Sequence, residues 1–200
     1  MDVAGAFNNV HHQRLIHNLR ERRISIEIIK WIESFLSEKS TALKFNGTTT
    51  DAFQTTAGVP QGSSLSPILY ILYNSNLLDI PNQYELGLGF IDDIAYGVKG
   101  DTAAENAGKL ENMLAKAEIW RRKHEAQFEK SKYMLVHFTR SQKSTAALIL
   151  LDGITINPVK EAKYLGVIFE KDMRFRAQLN LIVKKGTNFA SAIIGISRSK

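Results

Sequence analysis

The chain has 200 residues, of which 44% are hydrophobic, 23% charged and 9% aromatic, the profile of one globular domain or slightly more, which excludes a disordered tail. Lysine and arginine number 26 against 20 aspartates and glutamates, a formal charge of +6, so a phosphate-bearing or otherwise anionic partner is favoured electrostatically. With 0 cysteines, disulfide frameworks, thiolate nucleophiles and cysteine-based zinc sites are excluded together, and a reducing compartment is slightly preferred.

From the N-terminus, Met1 to Val10 lacks the basic start and apolar core of a secretory signal. The expectation is a protein that is not secreted and works in the nucleus or cytoplasm. Leu15, Ile16 and Leu19 recur at helical spacing between His11 and Arg23. Ser25 offers an N-cap to a second helix carrying Ile24, Ile28, Trp31, Ile32, Phe35 and Leu36 as its apolar face. Thr41 to Thr56 reads as strand, turn and strand about Asn46-Gly47. Gly58-Val59-Pro60-Gln61-Gly62 is loop, feeding a buried helix over Leu65 to Leu78 with Leu65, Ile68, Leu69, Leu72, Tyr73 and Leu77 inward.

Tyr84 to Phe90 and Ile94 to Val98 are β-prone, and Ile91-Asp92-Asp93 joins them as a hairpin connection with both aspartates at its tip. Asp101 or Thr102 caps a long helix that reaches Trp120 and Arg121. Tyr133 to Thr139 alternates as a strand, Leu148 to Ile156 is a hairpin about Asp152-Gly153, and Tyr164 to Phe169 is a further strand. Phe175 to Ile196 is a weakly amphipathic helix, followed by Arg198 and Lys200. Helices interleaved with antiparallel hairpins give an α+β class, with a sheet covered by helices on one face. No run approaches the ~20 apolar residues of a membrane helix, so no membrane partner is expected.

Asp2, Asp92 and Asp93 are the residues that invite chemistry. Adjacent aspartates on a short apolar hairpin repel one another, and a hard, oxygen-seeking cation such as Mg²⁺ relieves the repulsion. Asp-Asp is also ordinary turn chemistry. Other patterns carry less. His11, His12 and His17 lack zinc-site spacing, Gly87-Leu88-Gly89 lacks a third glycine, Gly62-Ser63-Ser64 lacks the glycine that closes a hydrolase elbow, and Asn46-Gly47-Thr48 is better read as a turn than as a glycosylation sequon.

Asp2-Val3-Ala4-Gly5-Ala6-Phe7, Gly58-Val59-Pro60-Gln61-Gly62-Ser63-Ser64-Leu65-Ser66-Pro67 and Phe90-Ile91-Asp92-Asp93 together resemble, in order, the palm motifs of reverse transcriptases, in wording like that of non-LTR (LINE-type) retrotransposons. Phe128-Glu129-Lys130-Ser131-Lys132 resembles the family's lysine-bearing motif, and Tyr164-Leu165-Gly166-Val167 the hairpin that grips the primer terminus. The resemblance implies a polymerase palm with partial fingers over 1–175 and the start of a thumb, or a C-terminal helix, over 176–200. It implies RNA-directed DNA polymerisation, with an RNA template, a DNA primer and dNTPs as partners, and two Mg²⁺ or Mn²⁺ ions. It makes Asp2, Asp92 and Asp93 the catalytic metal ligands and Phe7 the ring that excludes a 2′ hydroxyl. Gln61 and Gly62 would lie near the incoming base and primer–template, and Lys132 would meet the departing pyrophosphate, with Lys130 as its neighbouring rival.

Phe90 stands where retroviral enzymes carry tyrosine. With Met1 one residue before Asp2, the strand that should seat this aspartate is expected to be almost entirely missing, leaving Asp2 at a frayed terminus; upstream fingers and an endonuclease are expected to be absent, and activity is doubtful. Two other functions share these residues. One is a basic remnant that only binds nucleic acid through Arg14, Arg20, Arg22, Arg23, Lys184, Lys185, Arg198 and Lys200. The other is an RNA-dependent RNA polymerase, against which the bulk of Phe7 argues.

Overall fold

The structure is a computed structural model and describes residues 1–139 and 147–197, so Arg198 and Lys200 lie outside the described residues. The chain divides into two compact units, Met1–Lys99 with Lys109–Tyr133, and Gly100–Gly108 with the chain from Met134 onward. The class is α+β.

In the first unit a short strand β1 (Val3–Ala4) leads to helices α1 (His12–Glu21) and α2 (Ile26–Leu36). The Ser25 side chain caps α2 by accepting from the Ile28 N–H. Strands β2 (Ser40–Thr41), β3 (Lys44–Phe45), β4 (Thr48–Thr49) and β5 (Phe53–Gln54) nest as two antiparallel pairs, β3–β4 turning on Asn46-Gly47 inside β2–β5. Helix α3 (Ser66–Asn74) follows, with Pro67 in its first turn, then the hairpin β6 (Leu86–Phe90) and β7 (Asp93–Gly97). Helix α4 (Ala103–Lys123) starts at Thr102, whose hydroxyl accepts from the Glu105 N–H, and leads to β8 (Gln127–Phe128).

Strand β1 pairs antiparallel with β8, and Asp2 bridges Asp93 at the start of β7. The Ile94 N–H donates to the Met1 carbonyl at 2.9 Å and the Val3 N–H to the Asp92 carbonyl at 3.3 Å. The segments β6, β7, β1 and β8 therefore follow one another edge to edge. The expected fraying of Asp2 is not met: a ladder needs only a residue or two on each side, and β7 and β8 supply both neighbours.

The core of this unit gathers Val3, Leu15, Leu19, Ile32, Tyr70, Tyr73, Ile94 and Trp120. On α2 the expected face is only half right: Ile32 and Leu36 are buried with Ile29, while Ile28 is 50% and Trp31 58% exposed. The helix carries two apolar stripes and buries one. Trp31 and Phe35 of the other stripe stack at 6.1 Å, with the Lys39 ammonium 4.8 Å over the Phe35 ring. On α3, Ile68 is exposed and Tyr70 is buried, because a helix apolar on every side has no periodicity from which to read its inner face.

The second unit holds the hairpins β9 (Ile149–Leu151) with β10 (Ile154–Ile156) and β11 (Glu161–Tyr164) with β12 (Val167–Glu170), then helix α5 (Arg176–Ser197). Leu165 and Gly166 turn the second hairpin at positive φ. The strand expected over Tyr133 to Thr139 is absent. Leu135 alone makes a bridge, to Pro158, which has no N–H with which to extend a ladder.

A buried polar network ties α1, α3 and the end of α4 together. The Asn18 amide donates to the Tyr73 carbonyl at 2.8 Å and meets His124 Nε2 at 3.2 Å, while His124 Nδ1 lies 2.9 Å from the Trp120 carbonyl. An amide that donates on both sides and a carbonyl that only accepts leave one arrangement, a neutral imidazole protonated at Nδ1. The Tyr73 hydroxyl donates to the His124 carbonyl at 2.9 Å. Burial lowers the His124 pKa from 6.5 to about 4, and the charges of Arg14 and Lys123 work in the same direction.

Gly58 docks the following loop against the β1–α1 connection. Its N–H donates to the Val10 carbonyl at 2.8 Å, and the next N–H, of Val59, to the Phe7 carbonyl at 2.8 Å. A Cβ on Gly58 would stand 2.8 Å from the Asn8 carbonyl oxygen, at φ +87. Gly62, at φ +89, has nothing within 4 Å of that position.

Two outcomes are expected in urea unfolding. Since the folded His124 holds its proton less tightly than the unfolded one, its contribution is full above pH 6.5 and falls away toward pH 4, a loss on the order of 2 to 3 kcal/mol. A His124→Gln variant should lose that part of the acid slope. Gly58→Ala should cost about 2 to 4 kcal/mol through clash and φ together, and Gly62→Ala only about 1 kcal/mol through φ.

Candidate active site

Directly opposite residues of an antiparallel pair share a face, so the Asp2–Asp93 bridge sets two carboxylates side by side, with Asp92 next to them in the turn. The pair is not wholly at the tip as expected: Asp92 occupies the turn, and Asp93 opens β7 opposite Phe90. The turn is held from behind. The Asn74 amide of α3 donates to the Ile91 carbonyl, and Ile91 itself sits at φ +55, a left-handed conformation costly for a β-branched side chain. Burial raises the Asp92 carboxyl above the usual carboxylate range, and the charges of Asp2 and Asp93 add to that rise.

Lys132 donates to Asp2 Oδ2 at 2.8 Å, and this hydrogen bond with the Asp2 charge lifts the ammonium pKa. Lys130 points elsewhere. Its Nζ lies 3.2 Å from Oε1 of Glu118, a buried carboxylate that also accepts from Arg121 Nε at 2.7 Å. The turn Lys130–Lys132 thus sends its two lysines to different carboxylates, and the Glu129 N–H anchors the turn by donating to the Asp2 carbonyl at 3.0 Å.

Phe7 is half-buried and stacks on Tyr70, centroids 5.4 Å apart and 29° between planes. Tyr70 feels the same carboxylates: burial and then the Asp92 charge push its hydroxyl pKa up. Gln61 is exposed, and its amide donates to Asn8 Oδ1 at 3.0 Å. The structure thus brings Asp2, Asp92, Asp93 and Lys132 together, and the fold of the Gly58 loop onto Phe7 and Asn8 links Gln61 to the same β1–α1 connection. Glycine's freedom at Gly58 serves close approach of backbone to backbone. Sequence reasoning missed Asn8, Tyr70, Asn74 and Glu118. A polar Asn74 ending the apolar run of α3 was a visible signal; Glu118, on a helix rich in charge, gave none.

Three carboxylates are the donor chemistry of Mg²⁺ or Mn²⁺, and mutual repulsion among them is what a cation relieves. Among the described residues no three His, Asp or Glu side chains are gathered as they stand into an ion site, and Lys132 engages Asp2. Of the expected phosphate-contacting arginines, Arg20 is paired with Glu33 at 3.1 Å and Arg22 with Asp79. Among the described residues no helix is long and apolar enough to cross a membrane.

The profile of the family described as reverse transcriptase (RNA-dependent DNA polymerase) matches residues 1–169. The RNA-directed DNA polymerase from mobile element jockey of Drosophila funebris is 28% identical over 188 residues, covering 90% of this chain and 20% of that protein. The probable RNA-directed DNA polymerases from transposon BS and transposon X-element of Drosophila melanogaster are each 25% identical, covering 92% and 88% of this chain and 21% and 19% of their own lengths. The chain spans about a fifth of the length of these curated relatives. With three motifs in order and their aspartates brought to one ladder, the chain belongs to the reverse transcriptase (RNA-dependent DNA polymerase) family, among those of non-LTR retrotransposons.

Proposed function

We propose that this chain forms the palm of an RNA-directed DNA polymerase, with partial fingers over 1–175 and the start of a thumb over 176–200, working inside the cell on an RNA template, a DNA primer and dNTPs. The observation that supports it most is the backbone ladder that sets Asp2 against Asp93 with Asp92 adjacent. Asp2, Asp92 and Asp93 would hold two divalent cations. When bound, these ions lower the pKa of a primer 3′ hydroxyl and neutralise the triphosphate.

The remaining roles belong to this chain's own groups. Phe7, braced from behind by Tyr70, presents a fixed ring to the sugar and rejects a 2′ hydroxyl by clash. Gln61 and Gly62, at the open end of the loop, contact the incoming base and primer–template. Lys132, whose ammonium donates to Asp2, would meet the departing pyrophosphate. The bond of Lys130 to Glu118 favours Lys132 over Lys130 for this role.

The Asp2–Lys132 ion pair, and the lack of a gathered carboxylate trio among the described residues, favour a second reading in which the chain binds nucleic acid without catalysis. Primer extension on an RNA template with Mg²⁺ separates the two. An Asp92→Ala, Asp93→Ala double variant should lose roughly a thousandfold in rate if the polymerase reading holds, whereas equal signals from the variant and the parent chain would end it. Phe7→Ala should relax discrimination against ribonucleotides by roughly tenfold or more; unchanged discrimination removes Phe7 from the sugar site.

A further inference from the structure

A second recess lies in the first unit between α1 and α4, with a volume of about 260 Å³. Lys116 and Lys123 stand seven residues apart on one face of α4, and Arg14 faces them from α1. Glu21 is the acid among the lining residues, and its carboxylate is already engaged by His17 at 3.2 Å. The cationic heads are exposed or half-exposed, while the floor, His124 and Trp120, is buried and fixed by the network that ties Asn18 to Tyr73. The Arg14 and Lys123 charges reach that floor, since both disfavour protonation of His124.

The same wall leaves hydrogen-bonding capacity unused. Trp120 Nε1 and Asn76 Oδ1 are each shielded from solvent and without a hydrogen-bond partner. The three cations on the rim suit a ligand that presents anionic oxygens, and the Trp120 indole on the floor beneath them would sense its arrival.

We propose that this recess is a phosphate-binding site, taking the phosphate of a ribonucleotide either as free nucleotide or as one unit of an RNA backbone. The lining of the recess includes none of Asp2, Asp92, Asp93, Phe7, Gln61 or Lys132. It stands whether or not the chain polymerises DNA.

The experiment is a titration of the folded chain with AMP, adenosine and an oligoadenylate RNA strand, read by NMR at the Trp120 indole N–H. Trp31, the other of the 2 tryptophans, serves as internal reference for the AMP and adenosine arms. AMP should shift Trp120 saturably and more tightly than adenosine. A Lys116→Ala, Lys123→Ala variant, whose side chains lie on the surface, should weaken AMP roughly tenfold, and added salt should weaken it in the parent chain. His124 should also protonate more readily with AMP bound, since an anion offsets Arg14 and Lys123. A strand at least about tenfold tighter than AMP identifies RNA backbone as the source, and similar affinities identify free nucleotide; both outcomes support the site. Equal shifts from adenosine and AMP, an unmoved Trp120 resonance, or an affinity indifferent to the two lysines would overturn it.

Discussion

The carboxylate site depends on a strand of two residues. Val3 is buried in the core and β1 is paired on both sides, so Asp2 is carried into place by backbone rather than by any preference of its own side chain. Like charges brought to one ladder repel, and each ladder hydrogen bond contributes only about 1 kcal/mol net against that. Burial of Val3 with Phe128, and the Lys132 ammonium on Asp2, tip the balance toward a paired terminus.

Strain collects in the same place. Ile91 holds a left-handed conformation that its branched side chain disfavours, and the Asn74 amide secures the carbonyl it presents. Asn18 plays a parallel role lower down, reading both the Tyr73 carbonyl and the His124 ring. In each case a single buried amide joins its helix to a group distant in the chain. Removing it would strand a buried partner, a larger loss than the bond itself contributes.

Much of this was legible beforehand. The helix starts at Ser25 and Thr102 and the turns at Asn46-Gly47 and Asp152-Gly153 follow from local chemistry and are where expected, while of the two hairpin aspartates only Asp92 lies in the turn. What was not legible is what depends on partners distant in the chain. Asp2 was expected to fray because one residue precedes it, whereas the strands that hold it lie 91 and more residues away, at Asp93 and beyond. The buried side of α2 and α3 could not be chosen from stripes apolar on more than one side. The strand expected from Tyr133 failed because its neighbour is a proline, Pro158, and alternation carries no information about the neighbour's donors.

The Gly58 loop has one further consequence. At its start two amides are tied to the β1–α1 connection and His12 lies 2.7 Å from the Gly58 carbonyl, whereas Gly62 meets open space. Further along, the Gln61 amide donates to Asn8 Oδ1 and the Ser66 hydroxyl to the Pro60 carbonyl, so the loop is fastened beyond its start as well. Drawing Gln61 outward would break its bond to Asn8, so the loop and the β1–α1 connection shift together or not at all.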